Sequence, residues 1–146
     1  MVILCKSTEN DYGREDNNML FQEIYQSSIE TPKRLARSLN KIIRRKINKN
    51  AISDYLELVN GEYIYTCKNC EKAYDELETI LKKYRMSPDG KTKAAAIIYA
   101  HFRIIESYSD FQDARDRFLV NHDLSDLIKS LMIIRKQIRS IYVCKY

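Results

Sequence analysis

Leu35, Leu39, Ile42, Ile43 and Ile47 recur at spacings of three and four residues, the mark of one apolar helix face. Thr31-Pro32 precedes them, an N-cap residue followed by proline at the first helical position. The pattern predicts a helix from there to about Asn48. Ahead of it, Leu20, Phe21, Ile24 and Tyr25 predict a helix over about 19–29. Behind it, AISDYLELVN (51–60) reads as a short helix stopped at Gly61, since glycine commonly closes a helix. EYIYTC (62–67) alternates polar and apolar, which predicts a brief strand. A helix over about 68–86 follows, with Tyr74, Leu77, Ile80, Leu81 and Tyr84 in phase, and SPDG (87–90) is a turn by residue type. KTKAAAIIYAHFRIIESYS (91–109) is apolar nearly all round and should be the central buried helix. A shorter segment covers about 110–119. Asp123 or Ser125 then caps a last helix to about Tyr142, with Leu124, Leu127, Ile128, Leu131, Ile134 and Ile138 as its stripe.

These elements predict an all-α, compact bundle of five to seven helices packed around 91–109, with a minor β element near 62–67. Residues 6–18 (KSTENDYGREDNN) show no apolar period. Residues 1–18 are therefore expected to form a flexible or loosely attached arm, and 19–146 a single helical domain, since no repeat or linker divides it. Composition agrees. Among 146 residues, 45% are apolar, enough for a core, and three Gly and two Pro are too few for a turn-rich β fold.

Charge changes the picture. The stretch KRLARSLNKIIRRKINK (33–49) holds eight cations and no acid, so a net charge of +5 leaves −3 for the rest of the chain. Arg34, Arg37, Lys41 and Arg44 form a stripe separate from the apolar one, widened by Lys33, Arg45, Lys46 and Lys49. A solvated helix usually mixes signs, because like charges at i,i+4 repel by a few tenths of a kcal/mol. Arg37–Lys41 and Lys41–Arg45 are such pairs. An anionic partner would relieve the repulsion, and regularly spaced phosphates fit best. Arg135, Lys136 and Arg139 lie off the apolar stripe of the last helix, beside Lys129. They extend the basic surface if the two helices are neighbours. Tyr63, Tyr65, Tyr142 and Tyr146 are candidates to stack on bases, against the plainer reading as core or rim residues. The plain reading of the basic stripe is a solvated face, or one turned to acids elsewhere: Glu71, Asp75, Glu76 and Glu78, or Asp110, Asp113 and Asp116.

TCKNC brings one CxxC, Cys67 and Cys70, with the aromatic positions of a zinc finger at Tyr65 and Tyr74. The histidines that should follow are absent, and so is a second CxxC. Cys67 and Cys70 are thus weak metal candidates, needing His101, His122 or Cys144 to complete a site, and the expectation is no metal and no cofactor. His101 has Ile97, Ile98, Ile104 and Ile105 around it and reads as a core histidine with one hydrogen bond. His122 reads as a capping neighbour at a helix entrance. No nucleophile elbow, zinc-protease or phosphate-loop motif occurs, so the expectation is a protein without catalysis. No run of about 18 apolar residues suggests a membrane span, and no signal peptide is evident. That predicts an intracellular, cytoplasmic or nuclear protein with reduced thiols. Abundant Ile, Lys, Asn and Tyr have AT-rich codons and suit a virus, a phage or an AT-rich microbe as the source. The leading expectation is a regulatory or packaging protein that binds RNA or DNA mainly through phosphate. The rivals are a helical module for a host or viral protein and a self-assembling homo-oligomer.

Overall fold

The structure is a computed structural model that describes residues 32–85 and 93–140. Helix α1 covers 32–43, a short 3-10 helix covers Lys49–Ala51, and three longer helices follow: α2 (Ile52–Lys83), α3 (Lys93–Asn121) and α4 (Leu124–Ser140). The described residues are thus all-helical, as expected, with four α-helices where the pattern suggests five to seven. The first expected helix (19–29), the arm (1–18) and the SPDG turn lie outside the described residues.

Two mergers account for part of the difference. The expected stop at Gly61 and strand at 62–67 are instead the middle of α2. Ile52, Leu56, Val59, Tyr63, Thr66 and Cys70 are all buried and keep a 3.6-residue period straight through Gly61. The alternation in EYIYTC is the local appearance of that longer period. Likewise, Ile104, Ser107, Phe111, Ala114 and Phe118 are buried in phase, so the segments expected at 91–109 and 110–119 are one helix. Nor is 91–109 a wholly buried segment: Tyr99 and Phe102 are 64% and 48% exposed. The residues α3 gives to the main core are Phe111, Ala114 and Phe118, from its second half.

That core joins Leu35, Leu39 and Ile42 of α1, Ile52, Leu56, Val59 and Tyr63 of α2, the three from α3, and Leu127, Leu131, Ile134 and Ile138 of α4. Tyr63 stacks on Phe111 at 4.9 Å between ring centroids and lies 5.3 Å from Tyr108. Its hydroxyl meets the Ser107 hydroxyl at 3.2 Å, and Tyr108 Oη donates to Asn60 Oδ1 at 2.9 Å. With Arg115 reaching Glu57 at 3.6 Å, these contacts run α3 antiparallel to α2. Helix α3 packs against both α2 and α4. Asp123 caps α4 by accepting from the Asp126 N–H at 3.2 Å, and Arg117 of α3 clasps Asp126 and Ser130. No described helix is long and apolar enough to cross a membrane.

Candidate nucleic-acid interface

Helix α1 separates its two stripes cleanly. Leu35, Leu39 and Ile42 are buried, while Lys33, Arg34, Arg37, Lys41 and, just past the helix, Arg44 are exposed. The helix ends four or five residues earlier than its apolar pattern suggests. The Arg45 N–H donates to Ile42 O and the Lys46 N–H to Lys41 O, both at 2.9 Å, the paired closure that ends many helices. The residue at the turn of that closure adopts a left-handed conformation and is usually glycine; here it is Arg45, at φ 56°. Arg45, Lys46 and Lys49 therefore leave the helix and stand exposed on the connection to α2, with Asn48 accepting from the Asn50 N–H at 3.0 Å. The like-charge pair Lys41–Arg45 is thus not a helical pair; Arg37–Lys41 is. The negative end of the α1 dipole also favours cations here, which offsets part of their mutual repulsion.

Helix α4 lies beside α1. Arg135 Nη1 donates to Asn40 Oδ1 at 2.6 Å, and the stripe of Leu131, Ile134 and Ile138 shares the core with Leu35 and Leu39. The helix next to α1 and its connection thus carries three exposed cations of its own, Lys129, Lys136 and Arg139. Arg135 and Arg34, both expected contact residues, are engaged in the fold. Arg135 is half-buried between the helices, with its Nε buried and without a partner among the described residues. Arg34 holds Glu62 of α2 through two parallel bonds of 2.7 Å, and its guanidinium lies 5.3 Å from the centre of the Tyr65 ring. The bond to Glu62 pushes the Arg34 pKa up still further.

Among the described residues, Arg37, Lys41, Arg44, Arg45, Lys46, Lys49, Lys136 and Arg139 have no carboxylate partner. The acid rows that would have neutralised them lie elsewhere. Glu71, Asp75, Glu76 and Glu78 sit on the far half of α2. Asp110 and Asp113 belong to α3, where Asp116 pairs with Arg115 at 3.7 Å. The one acid that α1 meets among the described residues is Glu62.

Tyr63 is a core residue and is removed from the stacking candidates. Tyr65 remains, 49% exposed; Tyr142 and Tyr146 lie outside the described residues. Cys67 and Cys70 stand one turn apart inside α2, away from a helix start. Burial pushes the Cys67 thiol up to about 11 and the Cys70 thiol up to about 12, which keeps both protonated and poor ligands. Among the described residues no group of three or more His, Cys, Asp or Glu side chains is placed to hold a metal ion; Cys144 lies outside them. His101 is 1% exposed, as its apolar neighbours imply, but the expected hydrogen bond is not found: neither ring nitrogen has a partner among the described residues. Burial pulls its pKa down to about 4, so it stays neutral. His122 is at the exit of α3, at φ 54°, with its N–H on Phe118 O at 2.8 Å and its ring edge-on to Phe118. It closes α3 and does not open α4.

Compared with known proteins, the chain matches no family model, no curated protein and no solved structure.

Proposed function

We propose that this protein binds nucleic acid through the basic surface of α1, its connection to α2, and α4, contacting mainly phosphate. The observation that carries this reading is the set of eight exposed cations on adjoining elements with no carboxylate partner among the described residues. Arginine and lysine side chains in such a row each displace condensed counterions when they meet phosphates, so affinity is strong at low salt and weakly sequence-specific. A regulatory or packaging role suits such binding, and so does a viral setting.

Titration with mixed-sequence DNA and RNA at two salt concentrations tests it. Binding should weaken with salt with a log–log slope of about −4 or steeper, which corresponds to about five phosphate contacts. Reversing Arg37, Lys41 and Arg44 to Glu should abolish it with the helical signal retained. Absence of binding at low salt would sink the reading. A second reading then takes over: a helical module for a protein partner or for further copies of the chain. Met132 and Ile133, 46% and 61% exposed side by side on α4 between Lys129 and Lys136, favour it. A mass that rises with protein concentration would identify the self-assembling form.

A further inference from the structure

Beside the basic surface, α2 presents a second feature. Leu58, Gly61, Glu62 and Tyr65 share one face of the helix, at spacings of three and four residues. Leu58 and Tyr65 are exposed, at 66% and 49%. Between them Gly61 leaves the backbone bare, and a Cβ added there would meet nothing within 4 Å. Glycine weakens a helix interior, and neither close packing nor a left-handed backbone requires it at this position. The result is an open notch flanked by an aliphatic side chain and a phenol ring.

One edge of the notch is fixed. Glu62 clamps the Arg34 guanidinium through two parallel bonds, and the guanidinium lies 5.3 Å from the Tyr65 ring centre. The guanidinium lies over one face of the ring and holds it in place, while half of the residue stays accessible. Lys41 lies two turns along α1 from Arg34, about 10 Å at ~1.5 Å per residue, with Arg37 between them. Arg37 and Lys41 are exposed and have no ion-pair partner among the described residues. An exposed aromatic ring and exposed cations thus belong to the same α1–α2 pair.

Resting on the reading of this face as a phosphate-binding surface, we propose that its substrate is single-stranded nucleic acid, with an unpaired base seated in the Gly61 notch and stacked on Tyr65 while its flanking phosphates meet Arg37 and Lys41. Every base has a π face, so such stacking is tolerant of sequence. In a duplex those faces are hidden within the stack, and a ring on the flank of a helix cannot reach them. Phosphate rows alone would bind duplex and single strand alike; the platform supplies the preference.

The test uses the full chain and fluorescence anisotropy with end-labelled oligo-dT, oligo-U and a duplex of equal length, at one salt concentration. Single strands should bind about tenfold or more tighter than duplex. Tyr65→Ala should lose about tenfold on single strands and leave duplex affinity and the salt slope unchanged, whereas Tyr65→Phe, which keeps the ring, should stay within about twofold of the parent. Gly61→Leu fills the notch and should weaken single-strand binding with the helical signal intact. The relative affinity for oligo-dT and oligo-U assigns the strand to DNA or RNA. Equal binding of duplex and single strand, or a Tyr65→Ala variant that binds single strands like the parent, overturns the proposal. The two readings fail separately. If reversing Arg37, Lys41 and Arg44 abolishes binding while Tyr65→Ala is silent, phosphate binding stands and the platform falls. If the reversal leaves binding intact, the basic surface itself falls.

Discussion

Replacing Gly61 by Ala should make the protein more stable, and the size of the gain follows from its surroundings. Gly61 sits in the interior of a 32-residue helix, and the added Cβ meets nothing within 4 Å. The substitution therefore makes no clash and gains no packing. What changes is the backbone: glycine loses more freedom on entering a helix than alanine does, by about 0.8–1.0 kcal/mol in a helix interior. For 146 residues, an unfolding entropy of ~2.1 cal/mol/K per residue gives about 0.3 kcal/mol/K, so the expected rise in Tm is about 3 °C. In urea, with an m-value of about 1–3 kcal/mol/M, the midpoint should rise by about 0.3–1 M with m unchanged.

Far-UV circular dichroism against temperature and urea reads both quantities. The sign is decisive, because the rival structure predicts the opposite one. Were Gly61 the left-handed residue closing a short helix over 51–60, Ala there would meet the Cβ penalty and Tm would fall by a similar amount. A fall, or no change, would refute the continuous α2 helix. Single-strand binding by Gly61→Ala should stay within about twofold of the parent, since a methyl group only begins to fill the notch.

Two other substitutions probe different parts of the fold. Arg45→Gly relieves a left-handed arginine at φ 56° and should stabilise by about 1 kcal/mol, while removing one phosphate contact and lowering the magnitude of the salt slope on single strands by about 0.7; lower stability would show that Arg45 has a structural partner. His101 titrates at about 4 when folded, against an ordinary value of 6.5, so the unfolded chain takes up a proton first as pH falls. Stability should therefore be full above about pH 6.5 and decline between there and about 4, by on the order of 3 kcal/mol from this group. His101→Leu should flatten that part of the urea-midpoint profile, and an unchanged profile would show that another group controls it.

How much of the fold is legible in the chain depends on the range of the signal. The stripes of α1 and α4 can be read in large part: Leu35, Leu39, Ile42, Leu127, Leu131, Ile134 and Ile138 are buried, Ile43, Ile47, Leu124 and Ile128 only partly, and of the two cap candidates Asp123 and Ser125 the cap is Asp123. The α2 stripe is equally present, as Ile52, Leu56, Val59, Tyr63, Thr66 and Cys70, but in a short window a glycine and six alternating residues outweigh it. A period measured across the whole of Ile52 to Cys70 carries through both. The end of α1 leaves no such trace, because its left-handed closing residue is arginine. The neighbouring placement of α1 and α4 is a tertiary fact held by Arg135, Asn40 and the shared core. The notch is hidden for the same reason: Arg34 and Tyr65 are far apart in sequence and meet only when α1 folds back on α2.

The charge cluster and the fold can be separated by experiment, but the choice of substitution decides how well. Lys41, Arg44 and Arg45 crowd the C-terminal end of α1, where the helix dipole favours a positive charge by about 0.3–1 kcal/mol. The repulsion between Arg37 and Lys41 is of similar or smaller size, a few tenths of a kcal/mol. The cluster is therefore close to neutral for folding, and nothing in the core requires it. Glutamate at the same positions would be different: it adds an unfavourable dipole interaction of about the same magnitude and would pair with the remaining cations. Charge reversal thus lowers Tm somewhat while the helical signal is retained, so its loss of binding is read at a temperature well below the transition. Glutamine keeps the stem that covers the helix flank and removes only the charge. Replacing Arg37, Lys41 and Arg44 by Gln should leave Tm within a few degrees of the parent. The magnitude of the salt slope on single strands should fall by about 0.7 for each phosphate left without its cation, with affinity falling in step. A slope that stays put while affinity falls would mean that these residues act by shaping the surface, and that the phosphates are held by Lys46, Lys49, Lys136 and Arg139.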